Sequence, residues 1–391
     1  MDLQSLIVCR NLLDEKIFDG AINDSKISAR LIERAERLGL SGNLYRSYLI
    51  YLLAHEPNLI STSIEINGGI IGESLREIFK HDVEILLPIL RGELWSDLKI
   101  LNFYKPTVEN KTFVELTRRL ENLIDADEIA DTFIAHYKNF GYGDIATYRA
   151  FRWDKGLVGV KHFETIRLDD LIGYAHQKEL LTGNTIAFVN GKPANNVLLV
   201  GARGTGKSSG VKALVNEYYS KGLRLVQITK PQLKFLPEIM EALRKFSSKR
   251  FIIFLDDLSF EESEAEYKYL KSAIEGGVES RPENVLIYAT SNRRHLIRET
   301  WRDRGDDHDE LYRDDSANET ISLSDRFGLI IHYYAPTQAE YLEIIRSMLK
   351  RRGVELDAET LRIEGLRWEM SHSGRNGRTA QQFVNYYLGQ R

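Results

Sequence analysis

The sequence predicts an α/β fold: a core with a mostly parallel five-stranded sheet, a mostly α-helical N-terminal domain before it and a C-terminal helical lid after it. Three observations carry this. The runs "VLLV" (197–200), "LRLVQI" (223–228), "FIIFL" (251–255), "VLIYAT" (285–290) and "LIIHYY" (329–334) are short, nearly all apolar and rich in β-branched or aromatic residues. Helix-length segments separate them, as expected of strands covered on both faces. Both ends of the chain carry apolar residues at helical rather than strand spacing.

Taken in order, residues 1–150 form the helical domain. "ISARLIERAERLGL" puts Ile27, Leu31, Ala35 and Leu38 on one stripe, and "FVELTRRLENLI" does the same with Phe113, Leu116, Leu120, Leu123 and Ile124. These stripes face a core, and no constellation of chemical groups accompanies them. Residues 151–335 form the α/β domain, and residues 336–391 the lid. There, Thr337 and Glu340 have capping-box spacing, and Tyr341, Ile344, Ile345, Met348 and Leu349 make a buried stripe that Gly353 can close. A last helix repeats the rhythm with Ala380, Phe383, Val384, Tyr387 and Leu388.

The 391 residues carry a net charge of −4. Residues 1–150 hold 17 Lys+Arg against 23 Asp+Glu, and the remainder 36 against 34. No basic surplus points to nucleic acid, which leaves that partner open but not indicated. One cysteine, Cys9, excludes an intrachain disulfide and suits a reducing compartment. "MDLQSLIVCRNLLDEK" has an acid near its start and an apolar run cut by Arg10, unlike a signal peptide. The run "YLIYLLA" (48–54) is far shorter than the roughly 18 apolar residues of a membrane span, so a cytoplasmic protein without membrane contact is expected. The nine histidines show no metal-ligand spacing; His176 and His295 read as ordinary surface or core residues. The acid-rich stretch 301–320 reads as a solvated loop.

The chemistry concentrates in "VLLVGARGTGKSSGVKALV" (197–215). It fits G-x-x-x-x-G-K-[ST] with Gly201, Gly206, Lys207 and Ser208, between an apolar strand and an amphipathic helix. Glycines let backbone N–H groups turn inward around a phosphate, and the helix adds the positive end of its dipole. Lys207 then reaches the β- and γ-phosphates, and the Ser208 hydroxyl ligates Mg²⁺. "FIIFLDDLSF" ends a second strand in two acids: Asp256 to hold the ion through water, Asp257 to orient the attacking water.

With these motifs in place, residues 157–391 resemble an AAA+ ATPase. The resemblance makes Gly201, Ala202, Arg203, Gly204, Thr205, Gly206, Lys207 and Ser208, with the adjoining Ser209, the Walker A contacts to ATP, and 251–257 the Walker B strand. It implies sensor 1 at Asn292 in "YATSN", an arginine finger at Arg326 in "LSDRFG" acting across a homo-oligomer, and adenine packing at Ile172 and Gly173 in "LDDLIGY". Arg293 and Arg294 are rival cations. In "SGRNGRTAQQF" the lid arginine falls on Arg378, with Arg375 in reserve. "FLDDLSFE", "YATSNRRHLI", "SLSDRFG" and "GRTAQQF" together resemble the bacterial AAA+ group known as domain of unknown function 815.

Two departures matter. The family usually follows the Walker B aspartate with glutamate; Asp257 is one methylene shorter, so turnover could be slow unless Glu261 or Glu262 assists. "TKPQLKFLPEIM" also lacks the aromatic-hydrophobic-Gly loop of threading machines, which leaves Phe235 to core or interface. The expected activity is an ATPase switch or remodeller acting on an unidentified protein partner. The alternatives are a nucleotide-gated binding module with little hydrolysis, a DNA-associated loader, and a P-loop kinase, for which no acceptor motif is visible.

Overall fold

The computed structural model describes residues 3–15, 17–18, 24–260, 266–275, 281–292, 326–372 and 374–390. Glu261, Glu262, Arg293, Arg294, His295 and the acidic stretch 301–320 lie outside them. The chain divides into two compact units. One comprises Met1–Tyr148, Ser220–Gly222 and Lys245–Lys249; the other comprises Arg149–Tyr219, Leu223–Arg244 and Arg250–Arg391.

The first unit is helical: α1 (Ser25–Leu38), α2 (Leu44–His55), α3 (Leu59–Ile66), α4 (Glu73–Leu90), α5 (Lys111–Leu120), α6 (Ala126–Phe140) and α7 (Gly143–Thr147). Side-chain caps begin several of these helices. Asp24 accepts the Lys26 N–H, and Asn58 and Ser61 cap α3 reciprocally. Ile27, Leu31 and Ala35 are buried as their spacing predicts. The second stripe overshoots: α5 ends at Leu120, and Ile124, past the turn, is 69% exposed. The apolar α2 is a core helix, buried nearly all round. Among the described residues, no helix is long and apolar enough to cross a membrane.

Buried polar groups pin this unit. The fully buried Asp82 on α4 accepts the N–H groups of Ile7, Val8 and Cys9 at 2.8–2.9 Å, fastening the first segment to the bundle. Lys249 and Glu65 form an ion pair at 2.8 Å with side chains 0% and 1% exposed. The Lys249 ammonium also donates to the carbonyls of Tyr137 and Lys138. Lys249→Met removes one charge and strands the other, so the unit is expected to lose about 3–5 kcal/mol. Urea unfolding measures this, and the Glu65→Gln/Lys249→Met double variant should recover part of the loss.

The second unit is built on a sheet of β1 (Ala150–Trp153), β2 (Leu157–Gly159), β3 (Val197–Gly201), β4 (Leu223–Ile228), β5 (Arg250–Leu255), β6 (Val285–Ser291) and β7 (Leu329–Tyr333). Among the described residues the order is β2-β1-β4-β5-β6-β3-β7, seven strands rather than five. The β1/β2 pair is antiparallel, and the other pairs among the described residues are parallel. The two additional strands escape the sequence reading because they are short, and β2 is an edge strand with no buried residue. The predicted runs appear as strands, and β3, β4, β5 and β6 are buried at nearly every residue and so on both faces. Helix α8 (Ala175–Val189) and helix α9 (Lys207–Tyr218) pack over Val197, Leu199, Leu225, Ile252, Phe254 and Tyr288. Helices α10 (Leu236–Arg244) and α11 (Glu266–Glu275) connect the following strands.

Helices α12 (Gln338–Lys350), α13 (Ala358–Ser371) and α14 (Gly377–Gly389) end the chain with their own core of Tyr341, Ile344, Ile345, Leu349, Leu361, Ala380, Phe383 and Val384. The Thr337–Glu340 capping box starts them, its side chains bonding reciprocally to backbone N–H groups. An α/β core with a helical lid is the architecture that the AAA+ resemblance implies.

Candidate functional site

Strand β3 lies between β6 and β7, and β6 also pairs with β5, so the carboxyl ends of β3, β5 and β6 come together at one edge. In open parallel sheets this edge is where ligands bind. The turn from β3 into α9 occupies it. Gly201, Gly204 and Gly206 have φ of 145°, 74° and 88°. Space is the second reason for the first two: an added Cβ would lie 1.8 Å from the Tyr333 carbonyl oxygen at Gly201, and 2.5 Å from Asn376 Oδ1 at Gly204. Gly206 stands at the N-cap of α9, where no side chain caps the helix, and so leaves the first N–H groups available to an anion. Thr205 braces the turn by donating to the Ala202 carbonyl at 2.9 Å.

Lys207 is 5% exposed. Its ammonium donates to the carbonyls of Gly201 and Ala202 at 2.7 and 2.8 Å, and to Asn292 Oδ1 at 3.1 Å. Burial pushes its pKa down to about 8, against the pull of Asp257 and Asp256, and Arg203 adds to the fall. Ser208 Oγ donates to Asp256 Oδ1 at 2.5 Å, so the predicted Walker A hydroxyl and Walker B carboxylate meet across the two strand ends. These hard oxygen donors suit Mg²⁺, which one or two protein groups commonly hold beside phosphate and water.

Asp257 leaves β5 with φ of 54°, a left-handed backbone. Its Oδ1 accepts from Asn292 Nδ2, and its Oδ2 lies 3.8 Å from Arg203 Nη2. Lys207, Asn292 and Asp257 thus form one chain of contacts. Sequence reasoning missed Thr290. This residue is 2% exposed; its hydroxyl donates to Asp256 Oδ1 at 2.7 Å and accepts the Asp257 N–H at 2.9 Å. The available signal was a polar residue closing an apolar strand, which β-propensity alone explains.

Beside the turn, a cavity of about 490 Å³ lies between the core and the lid, lined by Ile172, Tyr174, Gly204–Gly206, Ser209, Ile344 and Arg378 among others. Its mix of apolar walls and a few polar groups suits a flat base and a sugar. Gly173 adjoins Ile172 but does not line the cavity. Arg351, the residue after α12, pairs with Asp170 at 2.9 Å, and the Gly377 N–H donates to the Gly204 carbonyl at 2.9 Å, so the lid is seated on the core at these two points. The two candidate lid arginines differ. Arg375 pairs with Glu369 at 3.0 Å, whereas Arg378 lines the cavity and, among the described residues, has no carboxylate partner. Arg326 stands apart from this group, with its guanidinium against Glu275. Phe235 is half-buried at the end of a 3₁₀ turn, Lys230–Phe235.

A family model described as "Protein of unknown function (DUF815)" matches residues 146–391, well over half of the chain. Among solved structures, similarity extends to the RuvB Holliday junction branch migration motor of Thermotoga maritima. The identity is 20% and the TM-score 0.39, over 56% of this chain and 63% of that one. PCH-2 of C. elegans is similar at 16% identity and TM-score 0.39, over 57% of this chain and 65% of that one. In both cases less than two thirds of the neighbour's length is spanned. No curated protein matches the chain.

Proposed function

The chain belongs to the DUF815 family, and for this member we propose an ATP-hydrolysing AAA+ switch or remodeller that acts on a protein partner. One observation supports this above the others: Lys207, Ser208, Asp256, Asp257 and Asn292, drawn from three strand ends, converge on a glycine turn shaped to hold phosphate. In this reading the amides of 204–209 and the ammonium of Lys207 bind the phosphates. Ser208 and Asp256 hold Mg²⁺, which when bound neutralises charge on the transferring phosphoryl group. Asp257 and Asn292 place the attacking water, and Ile172 and Arg378 engage base and phosphate from the cavity. Arg326 acts on the nucleotide of a second copy, which requires its release from Glu275. Catalysis is then positioning plus electrostatics.

Phosphate release from MgATP by the wild-type chain tests the reading; a rate equal to buffer ends it. One feature favours a weakly hydrolysing binder instead: the short Asp257 carboxylate is already engaged by Asn292, with Arg203 nearby. That reading expects tight ATP binding without turnover. For the partner, Asp256→Asn is expected to bind ATP and stall. Proteins co-purifying with it, and not with Lys207→Ala, identify the client; identical catches from both count against a switch.

The lowered Lys207 pKa sets a pH dependence. A bound polyphosphate favours the ammonium and returns its pKa toward the ordinary 10.5. Between about pH 8 and 10.5 binding therefore takes up a proton, and affinity falls as pH rises through that window. Below about 8 the free protein is already protonated, and uptake vanishes. Calorimetry at pH 8.5 in two buffers of different ionisation enthalpy is expected to show the uptake, and Lys207→Ala to lack it.

A further inference from the structure

We propose that Thr290 is a positioning residue that sets both acids of the site at once, aiming the Asp256 carboxylate at the metal position and holding Asp257 in its left-handed turn. The inference rests on the nucleotide-binding reading above. The β5/β6 ladder is regular through Leu255, which pairs with Ala289. The next pair in register would be Asp256 with Thr290, and here β5 turns away: Asp257 has φ of 54°. Thr290 compensates for the ladder's end with three bonds to three successive residues. Its hydroxyl donates to Asp256 Oδ1 at 2.7 Å, the same hydroxyl accepts the Asp257 N–H at 2.9 Å, and its carbonyl accepts the Leu258 N–H at 2.7 Å.

The hydroxyl is used as donor and acceptor together, so no other single group of that size replaces it except serine's. A β-branched side chain also has few rotamers, and at 2% exposure it has little room to leave this one. Asp256 Oδ1 therefore receives two donors, Thr290 and Ser208. Both donors hold one oxygen and neither takes up Oδ2. For Asp257, an N–H bonded to a rigid neighbour keeps an unfavourable backbone geometry in place, and its carboxylate remains within reach of Asn292. Asp257 has a shorter reach than glutamate, so its backbone must be placed more tightly; Thr290 supplies that constraint.

Removing the hydroxyl without changing size tests this. Thr290→Val is expected to lower kcat about 10- to 100-fold with KM for ATP within about threefold, and to raise the Mg²⁺ concentration for half-maximal ATP binding by a similar 10- to 100-fold. Thr290→Ser is expected to stay within about threefold of wild type in both. Thr290→Ala gives a second variant without the hydroxyl if Val fails to fold, as judged by thermal melting. Wild-type values in Val or Ala, or an equal loss in Ser, overturn the proposal. If the wild type binds MgATP but does not turn it over, hydrolysis fails as a function, while the Mg²⁺ titration by calorimetry still decides the role of Thr290.

Discussion

Replacing Lys207 by alanine is expected to lower ATP turnover by at least about 10²- to 10³-fold while the protein remains folded. The ammonium is a buried cation at the glycine turn, and it rests on neutral acceptors, two carbonyls of its own loop and Asn292. Alanine withdraws a charge that burial already disfavours. The sign follows from the lowered pKa: with about 8 in the folded chain and 10.5 as the ordinary value, the ammonium costs stability below pH 8, and the cost fades as pH rises toward 10.5. At pH 7 the variant should therefore melt at the wild-type temperature or above. Phosphate release and a melting curve on the same sample separate chemistry from folding. Turnover within tenfold of wild type would remove Lys207 from the mechanism.

The turn, its lysine and the acid-ended strand were legible because each rests on a local rule. A buried strand must read as an apolar run, and a backbone cradle must read as glycine at fixed spacing. What sequence concealed was set by packing. β1 and β2, of four and three residues, are too short to show a run. Ile124 continued a helical rhythm after the helix had ended. Arg375 pairs with Glu369 while Arg378 lines the cavity, a difference between the two that no spacing encodes. Thr290 is the clearest case: threonine near a strand end fits the strand itself, and only the register with Asp256 exposes a second use.

Gly201→Ala is expected to be among the most damaging single-methyl changes in the second unit, at about 3–5 kcal/mol. Gly201 ends β3 at φ of 145° and pairs with Tyr333 of β7. The new Cβ would stand 1.8 Å from the Tyr333 carbonyl oxygen and 2.7 Å from its carbon. Neither can turn aside, since both belong to paired backbone, so relief requires parting β3 from β7 at the mouth of the site. Gly204→Ala makes the informative contrast. Its Cβ would meet Asn376 Oδ1 at 2.5 Å, the end of a side chain that caps α14 through the Thr379 N–H. Asn376 can rotate away, at the cost of about 1 kcal/mol for the cap plus the strain of alanine at φ of 74°. Gly204→Ala should thus lose less stability than Gly201→Ala, about 2–4 kcal/mol, yet still lose ATP affinity, because rotation of Asn376 disturbs the point where the lid meets the turn. Urea unfolding and ATP titration of both variants give the two orders. If Gly204→Ala binds ATP as wild type does, the seating of α14 on Gly204 is not part of nucleotide binding.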